Sequence, residues 1–150
     1  MAFSELNARS IGYIAVSTLC ILCYWNSLKC DLVHDDVFAI KENMDLRPET
    51  PLLEVFKNDF WGKSMKDNTS HKSYRPLCVL TFRLNFILHG LHPVGYHVVN
   101  LVLHLGVSLM FVYFCEVNVF HDLKRSLLAG ILFAVHPVHT EAVSIKVSER

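Results

Sequence analysis

From Leu84 to Cys115 the chain carries no Asp, Glu, Lys or Arg, and no other feature limits its fold as much. A helix crosses a bilayer core with about 20 apolar residues, so this stretch is long enough for one span and too long for one upright helix. Gly90-Leu91-His92-Pro93 interrupts it with a helix stop and restart. Two elements are therefore predicted. An interfacial helix over 77–91 keeps Arg83, Asn85 and His89 among apolar residues, and a transmembrane helix covers 94–115.

A second apolar run, Ile11 to Leu28, has only Ser17, Thr18, Asn26 and Ser27 as clearly polar members and reads as the first span over 11–28. Tyr24 and Trp25 near its end suit the membrane interface. Arg9 supplies a basic flank of the signal-peptide kind, but no small-x-small cleavage site follows, so an uncleaved anchor is expected. A third run begins at Ser126 and meets His136-Pro137 after ten residues, fewer than a span needs. A third helix over 126–143 must continue through His-Pro with a kink or end short of the far surface. The composition, 52% hydrophobic and 19% charged, points the same way. An all-α membrane protein is predicted, with about three transmembrane helices.

Polarity is concentrated between Lys29 and Arg83, which hold nine of the 14 basic and nine of the 14 acidic residues. The chain thus reads as apolar, polar, apolar. Its net charge of zero offers no basic surface for nucleic acid. With a cytoplasmic tail over 1–10, residues 29–93 form a luminal loop and 116–125 a cytoplasmic one, where Lys124-Arg125 obey the positive-inside tendency. The nine basic residues of the central loop oppose this orientation. Asn68-Thr69-Ser70, the single N-x-S/T sequon, favours it, because Asn68 accepts a glycan only in the lumen.

Within the loop, Thr50 followed by Pro51 resembles a capped helix start, and Leu52, Leu53, Phe56 and Phe60 give an apolar face. A short helix over about 51–61 is predicted, lying on the membrane beside Trp61 or packing on its own loop. Cys20 and Cys23 sit in an apolar run and read as packing thiols, whereas Cys30 and Cys78 bracket the polar region and could pair in an oxidising lumen. His97, Asn100, His104 and Ser108 recur at helical spacing on one face. His97 and His104 stand two turns apart, about 10 Å, too far to chelate one ion together, so interhelical hydrogen bonding is expected there. His136, His139 and Glu141 resemble zinc ligands at first, but no third strong ligand set accompanies them. No internal repeat of helical-repeat period is present.

Asp35-Asp36 follows directly on the first span, where a lipid-borne and a soluble substrate can meet. By itself the pair fits a solvated turn or a helix cap equally well. The surrounding blocks, DDVFAIKENMDL from Asp35, NDFWG at 58–62, SHKSYRPL at 70–77, LTFRLNF at 80–86, HPVGYHVVN at 92–100 and LLAGILFAVHPVHTEAV at 127–143, stand in this order. In that order they resemble the amino-terminal part of the transmembrane O-mannosyltransferases that target cadherins and carry tetratricopeptide repeats. The likeness extends from about Cys23 to Val143.

The resemblance implies a GT-C type glycosyltransferase fold in the endoplasmic reticulum membrane. It implies transfer of mannose from dolichyl phosphate mannose to Ser or Thr of cadherin-type domains. Under it, Asp35 or Asp36, Asp35 first, is the general base for the acceptor hydroxyl, and its neighbour orients the acceptor or tunes the base. Arg75 and Arg83, with Lys72 behind them, are the candidates for holding the donor phosphate, with anchoring beside anionic headgroups as the plain alternative. His136, His139 and Glu141 would line the active site at the luminal end of the third helix. No covalently bound cofactor is implied, and a divalent metal is left open. His34 stands where the family commonly has an aromatic residue. After Val143 the family continues with a Gly-Arg-Ala-acidic block, further spans and the repeats, whereas this chain gives a short tail over 144–150. An incomplete catalytic domain is therefore expected; a non-enzymatic membrane protein that competes with the full enzyme is the alternative, and a small transport subunit using the His97 stripe is a third.

Overall fold

The computed structural model describes residues 2–32 and 36–140. Among these the architecture is helical and holds no strand; Asn58 and Ser64 form an isolated antiparallel bridge. Helix α1, Ala2–Tyr24, runs on into a 3-10 segment, Trp25–Lys29. Helix α2 is Pro76–His89 and α3 is Pro93–Phe114, which widens into a π-type segment, Cys115–Phe120. Helix α4 is Leu123–Ala134. Among the described residues, Glu5–Lys29 and Pro93–Phe120 are the two helical stretches long and apolar enough to cross a membrane.

Local chemistry sets these limits. Pro76 opens α2 where its missing N–H costs nothing, and Gly90 closes it at φ 62, a value that suits glycine. The Asp122 side chain caps α4, accepting from the Arg125 N–H at 2.9 Å. Two expected helices come out shorter. α4 has 12 residues and covers about 18 Å, well short of a bilayer core of about 30 Å. It ends because Pro137 drives His136 out of the helical region, to ψ 128. Residues 141–143 of the anticipated 126–143 helix lie outside the described residues. The helix expected over 51–61 is a 3-10 segment, Leu52–Phe56. Pro51 itself occupies its cap position at ψ 136, and the Thr50 hydroxyl donates to the Met44 carbonyl, 2.7 Å away, instead of capping.

The chain divides into two compact units, residues 1–30 with 97–150, and residues 31–96. In the first, Val16, Cys20, Tyr24, Leu101, Val112 and Ala134 form a buried cluster drawn from α1, α3 and α4. Gly130 of α4 sits where an added Cβ would overlap a Val112 methyl, a close approach that small residues permit between membrane helices. The outer faces expose Ile11, Leu22, Val102, Met110, Leu128 and Leu132, a surface suited to lipid. Ser10, Ser17, Thr18 and Ser108 donate to carbonyls four residues back, which satisfies their hydroxyls without water.

In the second unit, Leu32, Ala39, Ile40, Leu46, Val55, Val79 and Tyr96 make the core, with Phe60, Trp61, Leu80, Phe82 and Phe86 packed against it. All five cysteines, Cys30 and Cys78 included, are free thiols.

Candidate functional site

Asp35 lies outside the described residues, but Asp36 is half-buried at the head of a π-type segment, Val37–Lys41. Ala39 and Ile40 of that segment are buried, so Asp36 is held at the rim of a packed element. On α2, burial pushes the Cys78 thiol pKa up, while Arg75 lowers it and Asp36 raises it. Asp36 and Arg75 are therefore both within electrostatic reach of one half-buried thiol. Arg75 is exposed, with its guanidinium 5.2 Å from the centroid of the Phe60 ring.

The other two cations named from sequence hold the backbone. Arg83 is buried and donates to the carbonyls of Asp45 at 2.8 Å, Thr50 at 2.7 Å and Pro48 at 3.5 Å. It ties α2 to the segment over 45–50. Lys72, at φ 57, turns its ammonium onto the carbonyls of Met65 and Asp67, at 2.8 and 2.5 Å. Asn68 is exposed in the neighbouring turn, where Asp67 accepts from the N–H and hydroxyl of Thr69.

A feature with no role assigned from sequence emerges around NDFWG. Asp59 is buried, and its carboxylate accepts from the backbone N–H of Trp61 and Lys63, each at 3.0 Å, and of His71, and from the Ser70 hydroxyl. Burial alone would raise its pKa; these hydrogen bonds outweigh it and hold the carboxyl below the usual range. Trp61, Lys63 and His71, together with Phe38, line a cleft of ≈ 370 Å³. The Trp61 ring packs 4.9 Å from His71 and edge-on to Phe60 at 5.2 Å. Gly62, at φ 82, makes the turn between Trp61 and Lys63, and an added Cβ there would also meet the Asn43 carboxamide. The Asp-x-Trp-x-Lys spacing is the one signal of this arrangement in sequence, that of an Asx turn.

In the membrane-type unit, His104 donates from Nε2 to the Ala134 carbonyl at 3.0 Å, and His97 to the Cys30 carbonyl at 3.1 Å. His139 packs 4.8 Å from His104 and 4.6 Å from Phe133, and the Tyr24 hydroxyl donates to the His136 carbonyl at 3.0 Å. His136 and His139 border an apolar hollow of ≈ 500 Å³ with Phe111, Ala129, Leu132, Phe133 and Val138. Glu141 lies outside the described residues. Among the described residues, no three His, Cys, Asp or Glu side chains converge as a metal site.

No protein-family model and no solved structure matches the chain. Curated sequences do. It is 57% identical to human "Protein O-mannosyl-transferase TMTC3" over 81% of its own length, 56% to mouse "Protein O-mannosyl-transferase TMTC1" over 82%, and 48% to Drosophila melanogaster "Protein O-mannosyl-transferase Tmtc3" over 89%. The chain is a relative of the TMTC protein O-mannosyl-transferases. It spans 13%, 13% and 16% of those three proteins. The stretch shared with the TMTC proteins includes most of the polar unit, so Asp36, Arg75 and the NDFWG turn lie in the part of the chain that is similar to them.

Proposed function

We propose that this chain contributes the acceptor-activating part of a protein O-mannosyltransferase with a GT-C type fold, working at the luminal face of the endoplasmic reticulum membrane. Dolichyl phosphate mannose is the donor and a Ser or Thr hydroxyl of a cadherin-type domain the acceptor. The observation that carries this reading is that Asp36 and Arg75 both act electrostatically on the Cys78 thiol, in a chain whose relatives bear the transferase name.

A hydroxyl is a weak nucleophile at neutral pH. A carboxylate of the Asp35-Asp36 pair takes its proton as the oxygen attacks the anomeric carbon; the bond from that carbon to the phosphate oxygen breaks, and dolichyl phosphate leaves with the bonding pair. Negative charge grows on the phosphate, so a nearby cation lowers the barrier, and exposed Arg75 is better placed for that than Arg83 or Lys72.

The test is mannose transfer from radiolabelled dolichyl phosphate mannose to a cadherin-type domain in membranes carrying the protein. Asp35→Asn with Asp36→Asn is expected to cut the rate by about 10²-fold or more. Transfer that survives the double substitution would falsify the catalytic assignment.

A further inference from the structure

We propose that the cleft of Phe38, Trp61, Lys63 and His71 receives the mannosyl phosphate headgroup of the lipid donor, with the hexose against the Trp61 and His71 rings and the phosphate against the Lys63 ammonium. This rests on the mannosyl-transfer reading above.

Size is the first support. At ≈ 370 Å³ the cleft falls at the small end of the range for small-molecule sites, about 300–1,000 Å³, which suits a monosaccharide phosphate and not a folded domain. Its chemistry is the second. The apolar faces of a pyranose pack on flat aromatic rings, and the Trp61 and His71 rings lie 4.9 Å apart in a cleft that Phe38 also lines. Lys63 brings an ammonium group to the described lining, and it is exposed. A phosphodiester is always anionic and gains from that ammonium, whereas a neutral Ser or Thr strand gains nothing from it.

Position is the third support. Phe38 stands two residues beyond Asp36 in the chain, on the segment that Asp36 heads. The cleft is also built in advance. The buried Asp59 carboxylate binds the backbone N–H groups of Trp61, Lys63 and His71, three of the lining residues among those described, and so fixes their spacing without using their side chains. Arg83 and Lys72 are engaged with backbone carbonyls and Arg75 lies over the Phe60 ring beside Trp61, whereas Lys63 is the cation that lines the cleft itself and would share the phosphate with Arg75.

Trp25→Phe leaves Trp61 as the single tryptophan, so its fluorescence reports the cleft directly. The probe is citronellyl phosphate mannose titrated onto the detergent-solubilised protein. Saturable quenching is expected, with citronellyl phosphate alone binding more weakly and free mannose or a Ser/Thr-containing strand peptide giving none. Lys63→Gln is expected to weaken the mannosyl phosphate about tenfold, Lys63→Arg to retain most of it, and His71→Ala to weaken it several-fold, all with unchanged circular dichroism. An unchanged affinity in Lys63→Gln, equal binding with and without mannose, or quenching by the peptide in place of the donor each overturns the subsite. Asp35→Asn with Asp36→Asn is expected to bind the probe normally while losing transfer. That separates the two ideas: no transfer by the unsubstituted protein removes the mannosyl-transfer reading, and unaltered Lys63→Gln binding alongside normal transfer by the unsubstituted protein removes only the headgroup subsite.

Discussion

Asp45 and Asp59 are both buried in the polar unit, yet their surroundings push them in opposite directions. Burial raises the Asp45 pKa, and the Asn58 carboxamide, 2.9 and 3.0 Å from its two oxygens, offsets this only in part. Asp59 is held low by its ring of donors. The linkage signs follow. A lowered folded-state pKa gives stability that is present above the unfolded value, near 4, and is lost as pH falls through the folded value; a raised pKa does the reverse. Asp59→Asn is expected to destabilise the unit by about 2–3 kcal/mol at pH 7, because buried N–H groups lose a charged acceptor. That deficit should shrink as pH falls from 4 toward 2, while Asp45→Asn stays close to neutral at pH 7. Urea unfolding followed by Trp61 fluorescence in a Trp25→Phe background measures both. A deficit for Asp59→Asn that does not change with pH would show that the carboxylate charge is irrelevant to the turn.

Arg83 shows how an element is fastened and why sequence could not reveal it. In the pattern of α2 it stands as the one full charge in an apolar helix, which suggests an interfacial anchor with its head toward water. The structure turns it inward onto the carbonyls of Asp45, Pro48 and Thr50, contacts 33 to 38 residues away in the chain that no local spacing encodes. Arg83→Ala is expected to cost about 2–4 kcal/mol and to open the segment over 45–50 to protease, and Arg83→Lys should recover little, since an ammonium cannot reproduce the planar fork. Full recovery by lysine would mean that charge alone holds α2. What was legible had a local cause. The long apolar helices followed from missing charge, and the ends of α2 from Pro76 and Gly90. Non-local partnerships were hidden, as with Asp59 and the His71 backbone, or His104 and His139. The 3-10 segment at Leu52–Phe56 escaped because Thr50 and Pro51 mimic a helix start, and only the tertiary bond from Thr50 to Met44 shows otherwise.

The turn that supports the cleft also carries a readout of orientation across the membrane. Asn68 is exposed, while Ser70, the third residue of its sequon, is buried with its hydroxyl on Asp59. Two ways of deleting the sequon therefore have different consequences. If residues 31–96 face the lumen, the protein made in microsomes carries a glycosidase-sensitive mass shift, and Asn68→Gln abolishes it while leaving stability within about 0.5 kcal/mol, as exposed substitutions do. Ser70→Ala removes the same glycan but also strips a hydroxyl donor from a buried carboxylate, so it should cost about 1–2 kcal/mol more. Ser70→Thr keeps an acceptor sequon and a hydroxyl, and should retain the glycan. The Lys124-Arg125 pair then belongs on the cytoplasmic side, consistent with its position just beyond the Pro93–Phe120 stretch. Absence of the shift, together with labelling of a cysteine placed at Asn68 by a membrane-impermeant reagent applied from the cytoplasmic side, would reverse the orientation. It would also remove Asp36 from the face where a luminal acceptor could reach it.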